Sequence, residues 1–333
     1  MSETRQTVAS VVERTRPVDA GSAVIGVHFL DQTAVFVLSE EALLLVPREG
    51  ETRRVAVHAG GILASDSDGE RVLTAGDDGK AVTTNAAGET RTLVTDPKRR
   101  WIDRVAAGPD GAVAWSVAKT ACVQTGKREE RTLEFDSSVG ALAFAPRGFR
   151  LAVAHYNGAT LWFPNAPNAA PERLDWKGSH LDVGFSPDGK FLVTSMQEPA
   201  LHGWRLADRK DMRMSGYPAR VRSMAWSANG KWLATSGADH LILWPFHGKD
   251  GPMGQQPRML APSQHRVTVV ACHPRQEVVA VGYADGMVLL VRIDDGAEIL
   301  ARKPGAAPVT ALAWEITRVA FGTEDGAAGV IDL

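Results

Sequence analysis

Residues 183–204 read VGFSPDGKFLVTSMQEPALHGW, and residues 224–244 read MAWSANGKWLATSGADHLILW. Each stretch predicts three short strands, because alternating apolar positions are interrupted twice by residues typical of turns. The first turn holds Asp188-Gly189 in one stretch and Asn229-Gly230 in the other. Such pairs favour a two-residue hairpin loop, since both residues can adopt positive φ. The two stretches therefore indicate one repeated unit of three strands.

The unit recurs along the whole chain at a mean spacing of about 41 residues, the period of a β-propeller blade. A β-sandwich could contain similar hairpins, but it does not require a sustained period. The sequence therefore predicts an all-β fold, a single closed β-propeller of four-stranded antiparallel blades over residues 1–333. Eight copies are recognised, numbered here as units one to eight by an apolar residue of the first strand: Val27, Leu63, Val105, Leu142, Val183, Met224, Val270 and Leu312.

Each blade needs a fourth, outer strand, and a short candidate follows the third strand in all units but the last. We expect Gln6–Val12 to supply the missing strand, so that an N-terminal strand closes the last blade and removes an exposed sheet edge. The count favours eight blades. The alternative, seven, requires the weak copy at Val105 or Val27 to be something else. The outer strands expected from the sequence are Arg53–Val57, Arg91–Val94, Arg131–Phe135, Arg173–Trp176, Met212–Met214, Arg258–Leu260 and Glu298–Ala301.

These units resemble the WD-repeat β-propeller family. The resemblance rests on FSPDGKFL, on WSANGKWLATSGADHLILW and on the tryptophans that end third strands, Trp162, Trp204 and Trp244. The family's Trp-Asp and Gly-His pairs are absent, and Gly216-Tyr217 stands where unit six would hold Gly-His. The resemblance implies a propeller fold and a role in protein–protein interaction. The family has a structural network of Asp, His, Ser or Thr, and Trp side chains. The resemblance implies part of this network in unit six, formed by Thr235, Asp239 and Trp244, with Tyr217 in place of the family's histidine.

Composition narrows the functional classes. The formal charge of −2 excludes a strongly basic nucleic-acid-binding body, and no apolar run is long enough to span a bilayer. The two cysteines, Cys122 and Cys272, are too few for a disulfide scaffold. The charged N-terminus lacks the apolar core of a signal peptide. We expect a cytoplasmic monomer that binds neither nucleic acid nor membrane.

The sequence contains no recognisable catalytic or metal-binding motif. It has no His-Glu-x-x-His, no closely spaced cysteine pair, no Gly-x-Ser-x-Gly and no phosphate loop. Gly76–Lys80 superficially suggests a phosphate loop, but it lies in a predicted hairpin and precedes no helix. Cys272 ends a first strand where other units have an aromatic residue, which indicates a buried thiol. We therefore expect no enzymatic activity, no metal and no cofactor.

A partner surface is predicted on one face of the ring. In a propeller, the loops leading into first strands and the turns between second and third strands lie on the same face. Those segments carry tyrosine, tryptophan and arginine, residue types enriched at interaction hot spots. An equally weighted interpretation is that Tyr217, His155 and Asp239 only hold turns together. The predicted contact residues are Trp101, His155, Tyr156, His180, Tyr217, Arg220, His265 and Arg266.

Two functions of different classes remain open at this point. The first is a non-catalytic scaffold or adaptor that binds one or more proteins through this face. The alternative is a propeller enzyme or small-ligand binder with polar groups from several blades at the mouth of the central channel. The opposite face carries two loops rich in proline and glycine, Pro164–Pro171 and Pro245–Pro257, as secondary contact candidates.

Overall fold

Short antiparallel strands joined by tight turns make up nearly all the regular structure of the computed structural model, which describes residues 9–125, 129–166 and 168–333. The described helical segments are two single 3₁₀ turns, Val12–Arg14 and Pro109–Gly111. The first fourteen strands are β1 (Ala9–Ser10), β2 (Thr15–Asp19), β3 (Val24–Leu30), β4 (Thr33–Leu38), β5 (Ala42–Pro47), β6 (Arg53–Ala56), β7 (Ile62–Ser67), β8 (Arg71–Gly76), β9 (Lys80–Asn85), β10 (Thr90–Thr95), β11 (Arg104–Ala107), β12 (Val113–Val117), β13 (Thr120–Gln124) and β14 (Glu130–Glu134).

Units one, two and three each form a separate four-stranded antiparallel sheet: β3 to β6, β7 to β10 and β11 to β14. The weak copies at Val27 and Val105 are therefore genuine units. The next ten strands are β15 (Ala141–Phe144), β16 (Leu151–Trp162), β17 (Glu172–Phe185), β18 (Phe191–Met196), β19 (Ala200–Arg205), β20 (Lys210–Ser215), β21 (Met224–Trp226), β22 (Trp232–Thr235), β23 (Leu241–Pro245) and β24 (Arg258–Leu260).

Units four and five share one six-stranded sheet, β15 to β20, because two of its strands are long and change partner part-way. The first half of β16 pairs with β15 and its second half with β17. The first half of β17 pairs with β16, and its second half pairs with β18. The remaining strands are β25 (Val267–Cys272), β26 (Val278–Tyr283), β27 (Val288–Arg292), β28 (Glu298–Arg302), β29 (Val309–Trp314), β30 (Arg318–Thr323) and β31 (Ala327–Asp332).

The described residues thus form a β-propeller whose hydrogen-bonded sheets number seven, the alternative in the sequence analysis, and not eight separate sheets. The sequence predicts a count of seven only if one weak copy, at Val105 or Val27, is not a unit, and the structure gives a different reason. No unit is missing, but β16 and β17 remain paired across the bends at Asn157-Gly158 and Gly178, so hydrogen bonding is continuous through units four and five.

The N-terminal segment contributes two strands, in places that differ from the expectation. Within Gln6–Val12, residues 6–8 lie outside the described part, and β1 pairs in parallel with β28 of unit seven. It is β2 that lies antiparallel to β31, giving unit eight the sheet order β2-β31-β30-β29. The predicted segment was therefore placed wrongly, because Pro17 inside β2 disfavours a strand assignment from sequence.

The apolar core is divided into clusters that lie between consecutive units. One cluster joins unit eight to unit one, packing Ala311 and Ala320 against Val27 and Phe36. Thr310 of unit eight also donates a hydrogen bond to the carbonyl oxygen of Val24 in unit one, at 2.5 Å. The two ends of the repeat array are therefore in direct contact. The seven other clusters likewise each join neighbouring units.

The turns between first and second strands follow two geometries. In unit three Asp110 and Gly111 both have positive φ, 54° and 73°, within the three-residue turn Pro109–Gly111, which the Gly108 N–H closes by donating to the carbonyl oxygen of Ala112. In units five and six only Gly189 and Gly230 do, at 72° and 68°. The turn there is longer, because Ser186 closes it with backbone bonds to Phe191 and Gly189. The sequence thus located these hairpins correctly but not their turn type.

Candidate functional site

The loops leading into first strands and the turns between second and third strands contact one another, and together they form the loop face. Arg220, in the loop before unit six, donates a 2.9 Å hydrogen bond to Oε1 of Gln197 in the turn of unit five. Tyr156, in the turn of unit four, donates its backbone N–H to Oγ of Ser137 in the loop before that unit. These contacts bring the predicted surface residues to one side of the ring.

The loop from Asp96 to Arg104 is held in shape by one buried carboxylate. Asp96 accepts backbone hydrogen bonds from Lys98 and Arg100, and it also forms a two-point ion pair with the Arg100 guanidinium, 2.7 Å at the closer contact. The bonds from Arg100 hold the pKa of Asp96 at about 2. The carboxylate is therefore ionised at neutral pH. A fixed loop loses little conformational entropy when it binds.

Trp101 lies on this loop with 64% of its surface exposed, the highest value among the large apolar side chains of the described residues. Lys98, Arg99 and Arg100 before it are also exposed, whereas Ile102 after it is fully buried. The loop therefore presents an indole beside three cations while its next residue anchors it in the core. Tryptophan and arginine are residue types that are enriched at interaction hot spots.

Tyr156 is the second exposed aromatic residue of the loop face, at 56%. It stands at the bend of β16, where Asn157 and Gly158 both have positive φ. A cavity of about 230 Å³ lies beside it, lined in part by Phe135, Asp136 and Arg173. The phenol ring thus borders a depression with groups of both charges.

Three other predicted contact residues are accessible. Arg220 is half-buried and bonded to Gln197, while His265 and Arg266 are exposed in the loop before unit seven. His265 Nε2 lies 3.9 Å from Oδ2 of Asp285. These side chains complete an accessible set that begins with Trp101 and Tyr156.

The remaining three predicted contact residues, His155, His180 and Tyr217, are buried and cannot contact a partner on this face. His155 bonds through Nε2 to Oγ1 of Thr160 at 2.9 Å, and His180 bonds through Nδ1 to Oγ1 of Thr194 at 2.7 Å. The expected exposure of these three residues was wrong, because His155 lies within β16 and His180 within β17, and all three side chains are directed into the core.

Tyr217 joins the second and third strands of unit six. Its hydroxyl lies 2.7 Å from Oγ1 of Thr235 and accepts a 2.6 Å hydrogen bond from Nε1 of Trp244. Asp239, by contrast, contacts its neighbour His240. Three of the four residues of the network that the WD-repeat resemblance implied are thus bonded in unit six.

Sequence reasoning missed a more complete network in unit two. His58 lies 2.9 Å from Oγ1 of Thr74 and 3.0 Å from Oδ1 of Asp78, and Asp78 accepts backbone bonds from Ala59 and Lys80. The detectable signal was the spacing of Thr74 and Asp78, which equals that of Thr235 and Asp239.

Polar side chains on the first strands form hydrogen bonds between neighbouring units. His28 of unit one and Ser65 of unit two lie 2.9 Å apart between Nε2 and Oγ. Burial lowers the pKa of His28 to about 4, so the neutral ring can accept the serine hydroxyl. The contact joins two adjacent units. Over the described ranges, no group of three histidine, cysteine or acidic side chains is arranged to hold a metal ion.

The cysteines are poorly suited to nucleophilic chemistry. Burial raises the pKa of the Cys122 thiol to about 12 and raises that of Cys272 further. A thiol with a raised pKa carries almost no thiolate at neutral pH. Cys272 is partly buried and donates toward the carbonyl oxygen of Ala225 in unit six. Both are free thiols.

In the part of the chain that the structure describes, no helix has the length and apolar character needed to cross a membrane.

Comparison with known proteins identifies one repeat and the overall fold. Residues 210–244 match the family described as "WD domain, G-beta repeat". A stretch of 97 residues is 30% identical to WD repeat-containing protein 1-B of Xenopus laevis; it covers 28% of this chain and only 15% of that protein. The crystal structure of the computationally designed Ika8 protein superposes with a TM-score of 0.77 at 18% identity. That superposition covers 95% of this chain and 98% of the designed one.

Proposed function

We propose that this chain, a WD-repeat β-propeller, is a non-catalytic scaffold that binds a protein partner through its loop face. The observation that carries the proposal is Trp101, a largely exposed indole on a loop fixed by the buried carboxylate of Asp96. An isolated solvated loop has no physical need for such a side chain. Tryptophan is, in contrast, among the residue types that dominate binding energy when a partner covers them.

The accessible residues of the loop face set the chemistry of the partner. Lys98, Arg99 and Arg266 are exposed cations, and no carboxylate of the described residues lies within ion-pairing distance of them. Asp77 and Glu324 lie on the same face, so its charge is mixed. We expect the partner to place acidic groups near Trp101 and to cover the indole with apolar surface.

The test is affinity purification from the native host with the wild-type protein and a variant carrying Trp101→Ala, Tyr156→Ala and Arg266→Ala. Burying an aromatic hot spot contributes on the order of 2 kcal/mol, so the variant should retain at least about tenfold less of a specific partner. Tyr217 is left unchanged because it is part of the core of unit six.

A matched control removes exposed apolar surface elsewhere. Met259, 60% exposed on the outer strand β24, is changed to alanine. The control should bind like the wild type, and both variants should melt within a few degrees of it. If a well-folded loop-face variant kept its partner in full, the loop face would not be the binding site.

We also propose that the ring contains eight blades in a single domain. Eight apolar clusters, each between consecutive units, support an eightfold arrangement. The partner exchange within β16 and β17 supports dividing the six-stranded sheet into two blades. A crystal structure with units four and five in one four-stranded blade would contradict it.

Two free cysteines accord with a reducing compartment such as the cytoplasm.

A further inference from the structure

The face opposite the loop face carries a large cavity. It is formed by the turns between first and second strands and by the loops between third and fourth strands, which together are called the turn face. The cavity has a volume of about 920 Å³ and lies across units four to six. Its walls are the turns at 187–190 and 228–231, the segment 246–249 and the arginines Arg147 and Arg150.

The cavity walls carry a marked excess of positive charge. Arg147, Lys231 and Lys249 are exposed, and no carboxylate of the described residues lies within 4 Å of their charged atoms. Lys190 and Arg205 also line the cavity, but each is paired, Lys190 with Asp188 at 2.9 Å and Arg205 with two aspartates. The three cations without a carboxylate partner therefore make the electrostatic potential in the cavity positive.

Arg150 adds a further positive charge to the wall of the cavity. Its guanidinium is half-buried and lies over the ring of Phe185, 5.2 Å from the ring centre. Burial lowers its pKa, but an arginine remains charged at neutral pH. Glu172 acts on Arg150 electrostatically but forms no ion pair with it in the described residues, so the guanidinium can still attract a further anion. We call Arg147, Arg150, Lys231 and Lys249 the basic basin.

In the other turns of this face that the structure describes, acidic residues outnumber the two cations, Arg48 and Arg275. These turns are rich in aspartate and glutamate, although the whole chain has a net charge of only −2. The positive charge is therefore concentrated in units four to six and is not a general property of this face. The acidic residues of the other turns are Asp31, Glu49, Glu51, Asp68, Glu70, Asp110, Asp294, Asp295 and Glu315.

We propose that the basic basin binds an extended acidic peptide segment of a partner protein. Four cations around a cavity complement a run of aspartate and glutamate. Leu206 and Pro187 in the lining offer apolar contact for one uncharged side chain of the peptide. Residues 246–249 form one side of the cavity and the turns at 187–190 and 228–231 line it as well, so an extended chain could contact all three segments. The site is separate from the loop face and does not depend on it.

The test measures fluorescence anisotropy of a labelled peptide of about ten residues, made of aspartate and glutamate with one central phenylalanine. A peptide with glutamine and asparagine in place of the acids is the neutral probe. We expect saturable binding of the acidic probe that weakens with salt. A variant carrying Arg147→Glu, Lys231→Glu and Lys249→Glu should bind it at least about tenfold more weakly.

The matched control makes the same change in net charge away from the cavity, with Arg91→Glu, Arg213→Glu and Lys303→Glu, all at exposed positions. It should bind the acidic probe within about threefold of the wild type. If both variants lost affinity for the acidic probe equally, the net charge of the protein and not the basic basin would explain binding, and the proposal would be overturned. Binding of the neutral probe as tight as that of the acidic one would also overturn it.

Sedimentation velocity of the wild type and of the basin variant tests whether a second copy of this chain, and not a peptide of another protein, occupies the basic basin. Acidic turns of a second copy could also meet the basin. If the wild type were a dimer that the basin variant dissociates, the occupant would be this chain itself and the proposal would be wrong. A monomer in both cases, with peptide binding lost only in the basin variant, supports it.

Discussion

At the scale of single residues, His58, His180 and Tyr217 occupy corresponding places in three units. His58 and Tyr217 lie in loops leading into first strands and His180 lies within β17; each bonds to a threonine of the second strand of its unit, at 2.9, 2.7 and 2.7 Å. A buried polar group of this kind contributes to stability only while its partner remains. These buried side chains therefore stabilise single units.

Replacing Tyr217 by phenylalanine should lower the free energy of unfolding by about 1–2 kcal/mol. The substitution keeps the ring but leaves the buried Nε1–H of Trp244 without its acceptor. Urea unfolding followed by tryptophan fluorescence measures the loss. The control is Tyr156→Phe, at an exposed hydroxyl, which should change stability by less than about 0.5 kcal/mol. Equal stabilities of the two variants would contradict the structural role of Tyr217.

His202 makes stability depend on pH. It is fully buried and stacked on Trp176 at 3.9 Å between ring centres, and burial lowers its pKa to about 3. Since the unfolded chain binds the proton near pH 6.5, the stabilisation from a neutral His202 is complete above that pH. It is lost as pH falls from 6.5 towards 3. His28, with a pKa of about 4, acts in the same direction.

The variant His202→Phe keeps the stacked ring and removes the titrating group. Between pH 7 and pH 5 it should lose about 2 kcal/mol less stability than the wild type. Neither ring nitrogen of His202 has a hydrogen-bond partner in the described residues, so little should be lost at pH 7. The comparison is a series of urea unfolding curves across this pH range. If the free energy of unfolding of the two proteins changed equally with pH, His202 would not be the source of the pH dependence.

At the scale of strands and sheets, much of the fold could be predicted from sequence. The seven outer strands expected after third strands all coincide with strands of the structure. Their position follows from period and turn residues, which are local properties. The continuity of β16 and β17 could not be predicted. It depends on backbone bonds at Tyr156 and His180 that no local pattern specifies.

The N-terminal strand was harder to locate for a related reason. β2 contains Arg16 and Pro17, and its exposed edge carries little apolar pattern. Its place is set by pairing with β31 and by Arg16, which donates hydrogen bonds to the carbonyl oxygens of Pro47 and Arg48 in unit one. Those contacts are distant in sequence and become visible only in the folded chain.

Removing residues 1–19 should destabilise the protein strongly, because it exposes the edge of β31 and breaks the Arg16 contacts to unit one. Removing residues 1–14 leaves β2 in place and should cost much less. Thermal melting and light scattering of the two truncated proteins make the comparison. Identical melts, with no aggregation of the shorter protein, would show that β2 does not hold the ring closed.

At the scale of the whole molecule, the two faces of the ring differ in character. The loop face presents Trp101 and Tyr156 among mixed charges, whereas the turn face separates a basic basin from acidic turns. Of the eight contact residues predicted from sequence, five are accessible and three are buried. Exposure depends on side-chain direction at each bend, and repeat position alone does not determine it. Sequence periodicity therefore predicted which segments lie on the loop face, but not which of their side chains are accessible.

The most direct test of the scaffold proposal is hydrogen–deuterium exchange of the protein with and without its purified partner. Binding through the loop face predicts slower exchange at residues 96–104 and at the bend around Tyr156, where the accessible aromatic residues lie. Exchange in the outer strand β24, which carries Met259, should not change. Slower exchange confined to the turn face, or none in residues 96–104, would contradict the account.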